Sequence, residues 1–150
     1  MKHRLAVTAV VLTLLLAACA PRVAGQGPPT RKIVQVYAAP SSKVYPFIVG
    51  VISRAPGLRG SNGWTMTKID PAGGIVAAQT LVRRSALEPS YEPIRSRQSV
   101  SVTVSPSGRD NTEVVARFTA GATPLVQRIH GQLRASFGNP LQSGSPASGN

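Results

Sequence analysis

QSVSVTVS, Gln98 to Ser105, alternates with strict period two. Val100, Val102 and Val104 fall on one side; Ser99, Ser101, Thr103 and Ser105 fall on the other. One face of this strand therefore meets a core and the other meets water. The loop Pro106-Ser107-Gly108-Arg109-Asp110-Asn111 turns the chain back. Thr112 to Thr119 returns as a second strand, with Val114, Ala116 and Phe118 inward and Glu113, Val115 and Arg117 outward.

The same reading extends in both directions. Upstream, Arg83 to Arg97 (RRSALEPSYEPIRSR) is a Pro-broken, Arg-rich connection. Before it, Trp64 to Asp70 and Ile75 to Val82 form a hairpin around Asp70-Pro71-Ala72-Gly73-Gly74. Lys32 to Ala38 (KIVQVYA) is a first strand, ended by Pro40. Ser41 and Ser42 offer an N-cap to a helix reaching about Arg54, whose apolar face is Val44, Ile48, Val51, Ile52 and Ala55. Pro46 is expected near its first turn, and Pro56-Gly57 stops it. Leu58 to Gly63 is a loop. Downstream, Thr123 is expected to cap a last helix with Pro124 at its first position. Leu125, Ile129, Leu133 and Phe137 recur at every fourth residue, Val126 lies beside them, and Gly138 ends the helix. The fold class that follows is α+β: an antiparallel sheet of about five strands with two helices on one face, in the order β-α-β-β-β-β-α.

The N-terminus reads differently. Lys2, His3 and Arg4 precede an apolar run from Leu5 to Ala18. At about 14 residues this run is shorter than the ~20 needed to span a bilayer as a helix, and it has the form of an export signal. Its end, Leu16-Ala17-Ala18-Cys19, resembles the lipobox of bacterial lipoproteins at all four positions. The resemblance implies cleavage before Cys19 and a diacylglyceryl group on its thiol. With Ala20 following, it also implies a place in the cell envelope, at the outer membrane facing the periplasm where the host has two membranes. Cys19 is the only cysteine, so no disulfide can form within the chain. The expected organisation is a signal peptide over 1–18, a lipidated tether over 19–31, one α+β domain over 32–138 and a disordered Ser/Gly/Pro tail over 139–150.

The chain carries 17 Lys and Arg against 5 Asp and Glu. This excess attracts anions such as phosphorylated lipids or anionic wall polymers. Arg83, Arg84, Arg95 and Arg97 flank the Arg-rich connection and are expected to gather at one end of the sheet, with Arg117 extending the patch over the outer face. Nucleic acid is not expected as a partner, because export places the domain away from it. Catalytic groups are scarce. His130, one place after the core residue Ile129, reads as a surface or boundary residue; no zinc-type cluster and no phosphate-cradling glycine motif are present in the sequence. The expectation is a non-enzyme without cofactor or metal.

A second resemblance concerns the folded part. Val44-Tyr45 opening a helix, Gly63-Trp64, Asp70, Gly73-Gly74-Ile75, the Ser/Thr-Val strand and the closing amphipathic helix together resemble the helix-grip domain of BamC-type outer-membrane assembly lipoproteins. That resemblance implies a membrane-anchored protein binding another envelope component, a protein or an anionic polymer or lipid. The alternative is a carrier of a small apolar ligand or lipid with a START-like pocket between sheet and last helix. The short last helix favours a closed core, and a lined cavity of ~300 Å³ or more favours the carrier.

Overall fold

The computed structural model describes residues 30–84 and 94–144. The signal segment, Cys19, most of the tether, and Glu88, Tyr91 and Glu92 of the Arg-rich connection lie outside the described residues. The elements are β1 (Thr30–Tyr37), α1 (Ser41–Ser53), β2 (Thr65–Asp70), β3 (Ile75–Arg84), β4 (Ile94–Pro106), β5 (Thr112–Thr119), a single 3-10 turn (Ala120–Ala122), α2 (Thr123–Phe137) and β6 (Gln142–Gly144). The protein is α+β, with helix-grip topology. The strands form one sheet in the order β2-β3-β4-β5-β1-β6, every neighbouring pair antiparallel.

The inward positions of the central strands are those the period-two pattern selects. Val100, Val102, Val104, Val114, Ala116 and Phe118 are buried. Both helices pack against this face through Val44, Ile48, Val51 and Ile52 of α1 and Leu125, Val126, Ile129 and Leu133 of α2. Phe47 and Phe137 close the far end edge-to-face, 5.3 Å between ring centroids.

Four expectations are corrected. Residues 142–144, read as part of a disordered tail, form β6 on the free edge of β1, with the Leu141 amide donating to the Val36 carbonyl at 2.7 Å. β1 begins at Thr30, inside the stretch read as tether. The helix caps are also not side-chain caps: Pro40 precedes α1 and Ala122 precedes α2, while the Thr123 hydroxyl donates back to the Ala120 carbonyl. Pro46 sits in the second turn of α1, so the Ser42 carbonyl lacks its helical donor.

β3 and β4 continue further into the Arg-rich connection than the sequence suggests. Ladder pairing of β2 with β3 stops at Gln79, and that of β4 with β5 starts at Val100. Thr80–Arg84 and Ile94–Gln98 therefore pair with each other as a two-stranded ribbon running past the rest of the sheet. The bridge Ser61↔Val82 ties the preceding loop to that ribbon.

At the opposite end, Gly74 holds the β2–β3 turn against β4. Its φ is +63°, its carbonyl accepts from the Val104 amide at 2.8 Å, and a Cβ there would fall on the Val104 carbonyl oxygen. Gly108 in the β4–β5 turn also has positive φ but has open space around it. We expect Gly108→Ala to cost about 1 kcal/mol, the backbone term alone, and Gly74→Ala at least about 2 kcal/mol, because steric displacement of β4 adds to it. Urea denaturation of both variants checks this, and equal losses would remove β4 from the explanation.

Candidate functional site

Alternation along β1 turns Ile33, Gln35 and Tyr37 toward the helices, opposite Ala116, Val114 and Thr112 of β5. Two of these inward residues are polar and buried: Tyr37 is 0% exposed and Gln35 6%. On α2, the i, i+4 series Val126, His130, Arg134 runs beside the Leu125–Ile129–Leu133 stripe and faces β1. His130 is 5% exposed, which corrects its reading as a surface or boundary residue. Ile129 was recognised as core, but its neighbour also faces the sheet.

These side chains form a hydrogen-bonded chain. The Tyr37 hydroxyl donates to Gln35 Oε1 at 2.5 Å and lies 3.2 Å from His130 Nδ1. A phenol has one proton to give. With Gln35 receiving it, His130 Nδ1–H donates to the phenol oxygen. That fixes the tautomer and leaves Nε2 an unprotonated acceptor. Nε2 is buried and has no hydrogen-bond partner among the described residues. Burial, reinforced by the Arg134 charge, pushes the His130 pKa down to about 4. Burial pushes the Tyr37 phenol up to about 12, with Arg134 acting in the opposite direction. Both groups are therefore neutral at pH 7, and the cation of the site is the exposed Arg134 one turn along α2.

Ile33, Gln35, Val126, His130, Gly131 and Arg134 line a cleft of about 340 Å³ between β1 and α2. This cleft is open to solvent and lies at the edge of a core whose residues are at most 5% exposed. A larger depression of about 690 Å³ lies where the start of α1 meets the β2–β3 and β4–β5 turns, lined by Ser41, Tyr45, Pro71, Gly74 and Ser105 among others, with no charged side chain. The first cleft has the chemical definition: an apolar floor, a neutral acceptor within and a guanidinium at the mouth.

The arginines picked from the sequence divide. Arg83 is directly paired in register with Arg95, and Leu81 with Arg97. Arg84 pairs with Ile94 and occupies the opposite parity, so the four do not share one face. Arg117 is paired with Lys32 on one side and Ser101 on the other. Ser101 is four residues from Arg97, roughly 13 Å along the strand. Arg117 lies beside Lys32 on the same outward parity as Arg83 and Arg97, about 13 Å along the sheet from Arg97. The sequence missed Gln35 and Tyr37 altogether. The signals that could have found them are the parity of β1 and the i, i+4 spacing of His130 from Val126.

No family model and no curated protein matches the sequence. Similar solved structures include the Zhui aromatase/cyclase from Streptomyces sp. R1128, at 14% identity over 60% of this chain, with a TM-score of 0.32. The chain spans 66% of that enzyme's length. A conserved protein from Geobacillus kaustophilus is 9% identical over 73% of this chain and 97% of its own, with a TM-score of 0.37. Protein Ms6760 from Mycobacterium smegmatis is 15% identical over 71% of this chain and 92% of its own, with a TM-score of 0.33. The expectation that the domain is not an enzyme is corrected here: a chain of similar arrangement is an aromatase/cyclase. Scarcity of acids and histidines in the sequence was the argument against catalysis. The likeness carries neither reaction nor substrate to this chain.

The neutral state of His130 makes stability depend on pH. An unfolded histidine titrates near 6.5, whereas folded His130 stays unprotonated down to about pH 4. Between these values the unfolded chain binds the extra proton, so stability falls as pH drops through the window, by up to about 3 kcal/mol. Above pH 6.5 this group contributes no slope. Asp70, whose carboxylate is held below its usual range by the Gly73 amide, loses its contribution at lower pH, outside most of the window. Urea denaturation between pH 7 and pH 4 checks this. His130→Gln should flatten the slope, and an unchanged slope in that variant would assign it to other groups.

Proposed function

We propose that this chain is a lipid-anchored cell-envelope domain that holds a small, mainly apolar molecule with one polar end in the cleft between β1 and α2. The observation that carries the reading is His130 Nε2, a buried acceptor left without a partner beside an open cleft. Such an atom costs about 1–3 kcal/mol unless something donates to it. A ligand hydroxyl answers that need, an acceptor oxygen on the same head answers Arg134, and Ile33 and Val126 take the apolar body. The volume of about 340 Å³ falls within the ordinary range for small-molecule sites, ~300–1,000 Å³. The lipobox Leu16-Ala17-Ala18-Cys19 supports anchoring through Cys19. The stretch from Cys19 to Thr30 would reach ~40 Å at most when extended, which keeps the cleft close to the membrane surface, at the outer membrane of a two-membrane host.

A second reading rests on the outer sheet face, which no helix among the described residues covers. Lys32 and Arg117 are directly paired there, and Arg83 and Arg97 project from the ribbon on the same parity. This face would meet an anionic polymer, lipid or protein of the envelope.

Binding of a long-chain hydroxy acid, followed by displacement of a fluorescent analogue from the full chain, tests the first reading. We expect His130→Phe and Arg134→Leu each to weaken binding about tenfold, the size of one lost hydrogen bond to a charged or buried partner. Saturating ligand should also move the His130 ring resonances. Undiminished affinity in both variants, or ring resonances that do not move, would rule the cleft out. Membrane fractionation tests the anchor separately: Cys19→Ala should release the protein, and equal retention would reject lipidation.

A further inference from the structure

The outer face of the sheet carries its charges in an ordered pattern. Strand pairing places Lys68, Ala77, Ser101, Arg117 and Lys32 in one outward row across β2, β3, β4, β5 and β1. At ~4.8 Å per strand the row spans roughly 19 Å from Lys68 to Lys32. Arg97 and Arg83 share this parity and continue from Ser101 and Ala77 toward the ribbon. All five cations are exposed. Among the described residues the acids of this face are Asp70 and Glu113, and both lie beyond the row in the direction away from the ribbon. Asp70 is paired with Lys68 at 3.6 Å. The face thus has a cationic half at the ribbon end and an acid-bearing half at the other.

Three observations choose the partner. Lys32 and Arg117 are directly opposed on neighbouring strands, and like charges so placed destabilise the pair. An anion over the face relieves that repulsion. The cations are also spread over a surface, roughly 19 Å across and ~20 Å along, with the short side chains of Ala77, Ser99 and Ser101 between them. One small anion reaches two of them at most, whereas a layer of lipid phosphates meets all five together. Finally, Thr30, where the chain enters β1 from the stretch that bears Cys19, pairs with Thr119 at this same cationic end. We propose that the cationic half of the outer sheet face is a docking surface for a bilayer containing anionic lipid, with the lipid phosphates as its ligands. This rests on the reading of the outer face as an anion-binding surface and commits it to lipid. A basic patch that meets the same membrane strengthens attachment through an acyl anchor. The surface is separate from the β1–α2 cleft and stands or falls independently of it.

The experiment is amine acylation footprinting of the full chain with vesicles of phosphatidylcholine alone or of phosphatidylcholine and phosphatidylglycerol at 7:3. Lys32 and Lys68 report on the outer face, and the exposed Lys43 of α1 reports on the helix side. We expect phosphatidylglycerol to slow acylation of Lys32 and Lys68 about fivefold and to leave Lys43 unchanged. Roughly 1 M salt, where the screening length is ~3 Å, should abolish the difference. Replacing Arg97 and Arg117 together by Gln should remove most of the protection. Replacing Arg109 and Arg128 together by Gln, an equal loss of charge away from this face, should keep it. Equal acylation on both vesicles overturns the proposal, as does protection of Lys43 to the same degree or an equal loss in the two double variants. Parallel samples on phosphatidylcholine vesicles receive soluble polyphosphate or polyglutamate. Protection by either of these but not by phosphatidylglycerol overturns the lipid partner and leaves the outer-face reading standing; protection by none of the three overturns both. Co-sedimentation with phosphatidylcholine vesicles reads the Cys19 anchor by itself.

Discussion

The contact between the Tyr37 phenol and His130 Nδ1 joins the first strand to the last helix across 93 residues of sequence. Both residues are buried, so neither can fall back on water. Apolar packing tolerates sliding, since Val126, Ile129 and Leu133 would find some valine surface in several registers. A buried polar pair does not, because misplacing it leaves two unsatisfied groups at about 1–3 kcal/mol each. The pair therefore sets where α2 lies along β1. Once α2 is set, Arg134 is carried to the cleft mouth and Phe137 reaches Phe47 of α1. The position of β1 is fixed in turn by eight consecutive pairs with β5.

How far the sequence reveals this depends on whether a pattern is carried by side chains or by main chain. β4 and β5 are legible because Val100-Val102-Val104 and Val114-Ala116-Phe118 alternate against polar neighbours. α2 is legible for the same reason at helical spacing. β6 is not, because Gln142-Ser143-Gly144 has no apolar residue to mark a face, and its pairing along the edge of β1 is what defines it as a strand. The extension of β4 over Ile94 to Arg97 is an intermediate case. Its arginines alternate as an outward row should, but the nearby prolines and the charge density read as a loop.

The site was less legible than the fold. β1 has polar Gln35 on its inward parity, so its hydrophobic pattern runs Ile33, Val34, Val36, Tyr37 and does not declare a face. The register against Val114 declares it. His130 was hidden by its neighbour: a helix stripe drawn through Ile129 appears complete without it. The arginines of the ribbon lie together at one end of the sheet, but not all on one parity. Sequence proximity placed Arg83 and Arg84 together, although successive strand positions face opposite sides.

The two polar features beside β1 act unequally on anything entering the cleft. His130 is neutral because burial makes its charged form too costly, and the guanidinium of Arg134 lies exposed one turn along α2. In the proposed carrier, an acceptor within and a cation at the mouth would select for order along a ligand as well as for composition. A hydroxyl must reach inward, and a negative or acceptor oxygen must remain near the rim. A molecule carrying only a carboxylate can satisfy Arg134 but leaves Nε2 facing an acceptor, which the lone pair repels. Protonating His130 would relieve that conflict by turning Nε2 into a donor, and burial opposes this down to about pH 4. Acidification to that range would therefore change the preferred head group from a hydroxyl donor to a carboxylate, with the same residues and the same cleft.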